Sequence, residues 1–305
     1  MTGDKPRISP APPKAPAPRI APAPPVRRPA DGDAPLAILV DYDGTIAITD
    51  VGDTVMADHV TAEWEPIVAA YDAGLVGSRR TMLAEVALLR ATEAELMATA
   101  AAQPHDRGFA PFVGLARSAG IPVEIVSDGF GFFIPAATER LGLADLPIVT
   151  ATTTFDGDRA SMEFPNGHPS CFVCGTCKRQ RVLAHQAAGR AVVFIGDGES
   201  DRYAAGYADV VFAKSSLVRL CLEYGWPFHR WTEFAEIERW LADVLTEWRR
   251  DPTSLVGPVV RPFFCGPEAW GDGREDPPPQ SMSTADTPNP ARRRQNIVRR
   301  SAGGR

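Results

Sequence analysis

A chain of 305 residues with 44% hydrophobic side chains can bury one substantial core, and its length alone allows one or two domains. The formal net charge of −6 is unevenly spread: residues 36–271 hold 31 acidic and 19 basic side chains, whereas the two ends together hold 13 basic and 7 acidic. An acidic body argues against a broad nucleic-acid groove. No run approaches the roughly 18 apolar residues of a membrane helix, and the basic N-terminus lacks the apolar stretch of a secretory signal, so a cytoplasmic location is expected.

Residues 1–35 include eleven prolines and almost no bulky apolar side chain. Such a segment cannot bury enough surface to offset its ordering entropy, and it reads as disordered, partly polyproline II. Residues 272–305 are similar and end in Arg292, Arg293, Arg294, Arg299 and Arg300. Both ends read as solubilising tails, or as binding arms for protein partners such as SH3-like domains or for nucleic acid.

The body, expected over 36–262, begins with the apolar run 36–40 (LAILV), which stops at Asp41. Two further runs, 121–126 and 191–195, stop at Ser127 and Gly196; shorter ones lie at 147–150 and 209–213. Apolar runs without alternation fit strands buried on both faces of a parallel sheet. Helical patterns fall between them, at about 109–118, 131–141, 179–188, 201–207 and 232–249. The alternation predicts an α/β doubly wound sheet, whose ligands bind beyond the carboxyl ends of the strands. Residues 47–108 interrupt it with helices only, at about 53–60, 62–73 and 78–101, and read as a cap over that edge. Asp50, three residues before Asp53, fits a helix N-cap.

Four polar clusters follow. Asp41-Tyr42-Asp43-Gly44-Thr45 sets two carboxylates at a strand end: one can attack phosphorus, the other can protonate a leaving oxygen and later deprotonate water. Ser127-Asp128-Gly129 offers a hydroxyl and backbone N–H groups for an anion. Gly196-Asp197-Gly198-Glu199-Ser200-Asp201 supplies carboxylates suited to Mg2+. Lys178 opens a helix and supplies a cation to a site crowded with acid.

In this order the clusters resemble the haloacid-dehalogenase superfamily across residues 36–250. Asp43 points to its phosphatase branch, and a cap after the first motif matches the subclass with a small helical cap. The resemblance implies that Asp41 is the nucleophile and Asp43 the acid/base. It implies that Asp41, the Asp43 carbonyl and Asp197 hold Mg2+ with Asp201 in support, that Ser127 and the Gly129 backbone hold phosphate, and that Lys178 orients the nucleophile. Asp128 and Thr45 are expected among the substrate-binding residues. The implied substrate is a small phosphorylated metabolite.

Residues 168–178 (HPSCFVCGTCK) and 196–214 also resemble the methylthiopentenyl-1-phosphate phosphatase branch of methionine salvage. Phosphocholine/phosphoethanolamine, pyridoxal and phosphoserine phosphatases are related branches, though the last usually carry Ser where Gly44 stands. A phosphotransferase and a non-catalytic phosphate-binding scaffold are the alternatives. His168, Cys171, Cys174 and Cys177 have soft ligands at a spacing that could bind zinc, or form a reduced, packed loop. Trp64 and Tyr71 in the cap could pack between helices or wall a substrate.

Overall fold

The computed structural model describes residues 36–73, 75–169 and 171–251. Both tails, and the stretch 252–262 assigned above to the body, lie outside the described residues.

Six strands form one parallel sheet in the order β3-β2-β1-β6-β7-β8. These are β1 (Leu36–Val40), β2 (Val123–Val126), β3 (Ile148–Val149), β6 (Ala191–Gly196), β7 (Val210–Ala213) and β8 (His229–Arg230). Central β1 pairs with β2 on one side and with β6 on the other, from Leu36 opposite Ala191 to Val40 opposite Ile195. Every residue of β1, β2 and β6 is buried, as expected for strands covered on both faces.

Alternate side chains feed two cores. Ile38, Val40, Val193 and Ile195 join one that includes Phe109, Phe112, Ile237 and Leu241 from α5 (Phe109–Ser118) and α10 (Phe234–Arg250). Leu39, Val192 and Phe194 join a second, with Val182 from α7 (Lys178–Ala187), Ala204 from α8 (Arg202–Ala205) and Leu217 from α9 (Ser215–Tyr224). Each large apolar side chain so buried contributes about 1.5–3 kcal/mol.

The cap consists of α1 (Val51–His59), α2 (Glu65–Asp72), α3 (Ser78–Leu88) and α4 (Glu93–Ala101). The helix expected over 78–101 is two. The chain breaks at Leu89, and Thr92 restarts it with a capping box in which Thr92 and Glu95 satisfy each other's backbone N–H. Asp50 caps α1, its carboxylate accepting the Asp53 N–H at 2.8 Å. The chain leaves and re-enters the core through two adjacent segments. Ala47 and His105 form an antiparallel bridge, and the Ile48 N–H donates to the Pro104 carbonyl at 2.9 Å.

The core helix α6 (Ile134–Arg140) lies where a helix was expected. Three elements were not anticipated: α9, β8, and a hairpin of β4 (Thr152–Asp156) and β5 (Arg159–Glu163). The hairpin strands alternate in exposure around a turn with Gly157 at φ +62°. The Asp-Gly pair at 156–157 is a recognisable hairpin signal.

Candidate active site

Asp41, Ser127 and Asp197 each follow the carboxyl end of a strand, so the sheet delivers all three to one edge. The Asp41 N–H is held by the Ile195 carbonyl at 2.9 Å, and the Ser127 N–H by Val149 at 3.0 Å. Beyond Asp41 the chain turns through Tyr42–Ile46, with Gly44 at φ +67°. A Cβ there would lie 2.7 Å from Asp197 Cγ, so only glycine gives both the left-handed turn and the close approach.

Lys178, the first residue of α7, is buried, and its Nζ lies 2.6 Å from both Asp41 Oδ1 and Asp201 Oδ1. Burial opposes its charge, but Asp201 and Asp41 more than offset that and raise its pKa above the ordinary lysine value. The ammonium is therefore permanent. The other Asp201 oxygen accepts the N–H groups of Asp197 and Gly198 at 2.8 and 2.9 Å. Asp201 is thus fully engaged: it fixes the turn that carries Asp197 and steadies Lys178.

Asp41, Asp197 and Asp201 bring ligand atoms within 4.8 Å of one another. Among the described residues this is the single such group of three or more His, Cys, Asp or Glu side chains. Burial, then the charge of Asp201, pushes the Asp41 and Asp197 carboxyls up, Asp197 to about 7. Clustered buried carboxylates of this kind are short of positive charge, and their hard oxygens fit Mg2+. His168 and the three cysteines do not gather into a comparable group. Cys171, Cys174 and Cys177 are not in disulfides, and the first two are buried among the apolar residues of the second core. The burial of Cys171 and Cys174 fits the packed-loop reading.

Asp43 occupies a different position. Its Oδ1 accepts the N–H of Val51, at the start of α1, at 3.0 Å. Burial, and then the neighbouring Asp50 charge, raise its pKa well above the ordinary aspartate value. A raised pKa favours the protonated carboxyl and suits Asp43 to donating a proton. Gly129 lets the backbone approach both Asp43 and Ser127 closely: a Cβ there would lie 2.8 Å from Asp43 Oδ2 and 3.4 Å from Ser127 Oγ. The Ser127 hydroxyl is buried and has no protein partner. A buried orphan hydroxyl beside glycine is what a phosphate-holding turn requires.

Two further residues expected beside the substrate make contacts within the protein. The Thr45 hydroxyl lies 3.4 Å from Asp197 Oδ1 and so supports that carboxylate. Asp128 turns both its oxygens onto protein donors, the Ser78 hydroxyl at 2.5 Å and the Thr176 N–H at 2.8 Å. Both carboxylate oxygens are thereby committed to protein donors. Trp64 packs against the first core, as its apolar ring suggested. Tyr71 is half-buried, and burial, followed by the Asp128 charge, raises its pKa well above the ordinary phenol value.

Lys214 was not singled out by its residue type. Its Nζ lies 4.0 Å from the Trp231 ring centroid and 3.5 Å from the Thr45 carbonyl, and its charge works to lower the Asp197 pKa. It follows strand β7, the same signal that located the other site residues.

The family model described as haloacid dehalogenase-like hydrolase matches residues 38–206. A 2-hydroxy-3-keto-5-methylthiopentenyl-1-phosphate phosphatase of Brevibacillus brevis is 27% identical over 219 residues, covering 70% of this chain and 97% of that protein. One from Lysinibacillus sphaericus is 30% identical over 197 residues, covering 61% and 85%. Among solved structures, a family hydrolase from Salmonella enterica has a TM-score of 0.51 at 16% identity, covering 63% of this chain and 67% of that one. A phospho-aspartyl intermediate analogue of phosphoserine phosphatase has a TM-score of 0.51 at 15% identity, covering 70% and 99%. These structures share the fold.

Proposed function

Because the chain belongs to the haloacid dehalogenase-like hydrolase family, we propose that it is a phosphatase that passes the phosphoryl group of a small metabolite through Asp41 to water, with Mg2+ as cofactor. The observation that carries this reading is the ion pair between Lys178 Nζ and Asp41 Oδ1 at 2.6 Å, inside a group of three carboxylates. A buried carboxylate oriented by a permanent cation is a fixed nucleophile, not a solvated surface acid.

Lys178 holds Oδ1 and leaves Oδ2 of Asp41 to attack phosphorus. As that bond forms, the bond from phosphorus to the leaving oxygen breaks, and its electron pair stays on that oxygen. Asp43, whose buried setting favours the protonated carboxyl, gives the oxygen a proton. The same carboxylate then takes a proton from water, whose oxygen attacks the phosphorus of the aspartyl-phosphate. Inorganic phosphate leaves and Asp41 is restored. Ser127 Oγ and the Gly129 backbone hold the non-bridging oxygens, and Lys178 offsets charge at the transition state. Asp41 and Asp197, with the Asp43 carbonyl, would hold Mg2+, and Asp201 would fix the turn beneath them. When bound, the ion supplies charge neutralisation and a template for in-line transfer.

The curated relatives' names give the first substrate to try, a methylthiopentenyl-1-phosphate analogue. Phosphate release should be measured over a panel that also contains phosphocholine, phosphoethanolamine, pyridoxal phosphate and phosphoserine, with magnesium and with chelator. Release that needs magnesium supports the reading and ranks the substrates. A folded protein that releases phosphate from none of them rejects it for this panel, and transfer to an added alcohol would reassign the enzyme as a phosphotransferase.

A further inference from the structure

Asp128 lies between the two residues that the proposed chemistry uses to hold phosphate, Ser127 and Gly129, yet its carboxylate is directed elsewhere. One oxygen accepts the hydroxyl of Ser78, the first residue of cap helix α3, at 2.5 Å. The other accepts the backbone N–H of Thr176, two residues before Lys178, at 2.8 Å. One side chain therefore ties together the cap, the phosphate-holding turn and the loop that leads into Lys178.

The contact does not stand alone. The Arg79 N–H donates to the Val173 carbonyl at 3.2 Å, and the Arg79 guanidinium sits 4.9 Å from the ring centroids of both Phe164 and Phe172. A Cβ on Gly77 would lie 2.8 Å from Val173 Cγ1, so the cap chain runs hard against the 164–177 loop there. The start of α3 is thus a second seam between cap and core, far along the chain from the Ala47–His105 connection. Its polar centre is Asp128.

We propose that Asp128 is a positioning residue: it fastens the start of α3 over the site and, through the same carboxylate, sets the Ser127 turn and the Lys178 loop against each other. The role rests on the phosphatase reading only for its catalytic consequence. The seam itself is a physical contact that can be tested without turnover. Cap closure is then worth most when Ser127 and Lys178 are correctly placed, because one group serves both.

The test is a double-mutant cycle with Ser78→Ala, Asp128→Ala and the double variant, with Asp128→Asn as a shape-preserving control. Ser78→Ala should raise KM about fivefold or more and leave kcat nearly unchanged, since it loosens only the cap side. Asp128→Ala should lower kcat/KM by about a hundredfold, through both the hydroxyl and the lysine loop. Adding Ser78→Ala to Asp128→Ala should cost nothing further. In parallel, amide exchange over residues 78–88 should quicken in both single variants and no more in the double. Additive effects of the two substitutions, or unchanged exchange in α3, would overturn the proposal. Wild-type protein that releases no phosphate would reject the phosphatase reading, and the exchange measurement would still decide the seam.

Discussion

Lys178 Nζ stands 2.6 Å from Asp41 Oδ1 and equally 2.6 Å from Asp201 Oδ1, so one buried ammonium joins the carboxylate after β1 to the one that precedes α8. Removing it leaves two buried carboxylates facing each other without compensation. Lys178→Met should lower kcat by about a thousandfold, the usual cost of losing a placed transition-state donor. Lys178→Arg should not rescue it, because the planar guanidinium cannot replace a compact charge in this space. Steady-state kinetics on the best substrate reads both.

Asp201 makes a sharper prediction, since its role is to hold other groups. Asn cannot accept two backbone N–H groups with one oxygen and the lysine with the other; its amide must face one of them. Asp201→Asn should destabilise the fold by about 3 kcal/mol, as expected for breaking a buried pair. It should also raise the magnesium concentration needed for half-maximal activity, because the turn under Asp197 loosens. Chemical denaturation and a magnesium titration check the two parts. A variant with wild-type stability would contradict the account.

Gly44→Ala tests the nucleophile turn. Alanine meets a strained positive φ, and its Cβ falls 2.7 Å from Asp197 Cγ. The backbone strain alone costs about 1 kcal/mol, and the displaced Asp197 should carry most of the loss of activity. Thermal melting and magnesium-binding calorimetry on the purified variant separate the two.

The strand ends were legible before the fold was known because a parallel sheet writes itself as apolar runs that stop abruptly. Asp41, Ser127 and Asp197 followed directly. What was illegible was direction: nothing in Ser127-Asp128-Gly129 shows that the middle side chain turns away from the phosphate site to Ser78, 50 residues earlier. The 3.4 Å contact of the Thr45 hydroxyl with Asp197, 152 residues later, is equally invisible in the sequence. The break at Leu89 and the hairpin at 152–163 did carry signals, Thr92 with Glu95 and Asp156-Gly157, which the stronger helical and parallel-strand patterns on either side obscured.

Glu124 carries a pH dependence unrelated to the site. On β2, it accepts Arg181 through two hydrogen bonds at 2.8 and 3.0 Å and pairs with His185 Nε2 at 2.9 Å. Burial works to raise its pKa, but the His185 and Arg181 contacts more than offset this and lower it to about 2. A depressed carboxyl contributes stability that is present above the unfolded value near 4.5 and lost as the pH falls through about 2. The shift corresponds to about 3 kcal/mol. Denaturation of wild type and Glu124→Gln should differ by that order at pH 6, and the difference should shrink steadily below pH 4.5. A constant difference would show that Glu124 acts through packing alone.

The central claim is that Asp41 carries the phosphoryl group. The measurement that tests it most directly is acid quenching of a single turnover, followed by mass spectrometry of the peptide containing Asp41. The account predicts a transient, hydroxylamine-labile mass increase of one phosphoryl group on Asp41, absent from Asp41→Asn. Rapid phosphate release, with no such adduct on Asp41 at any quench time and activity retained in Asp41→Asn, would contradict it.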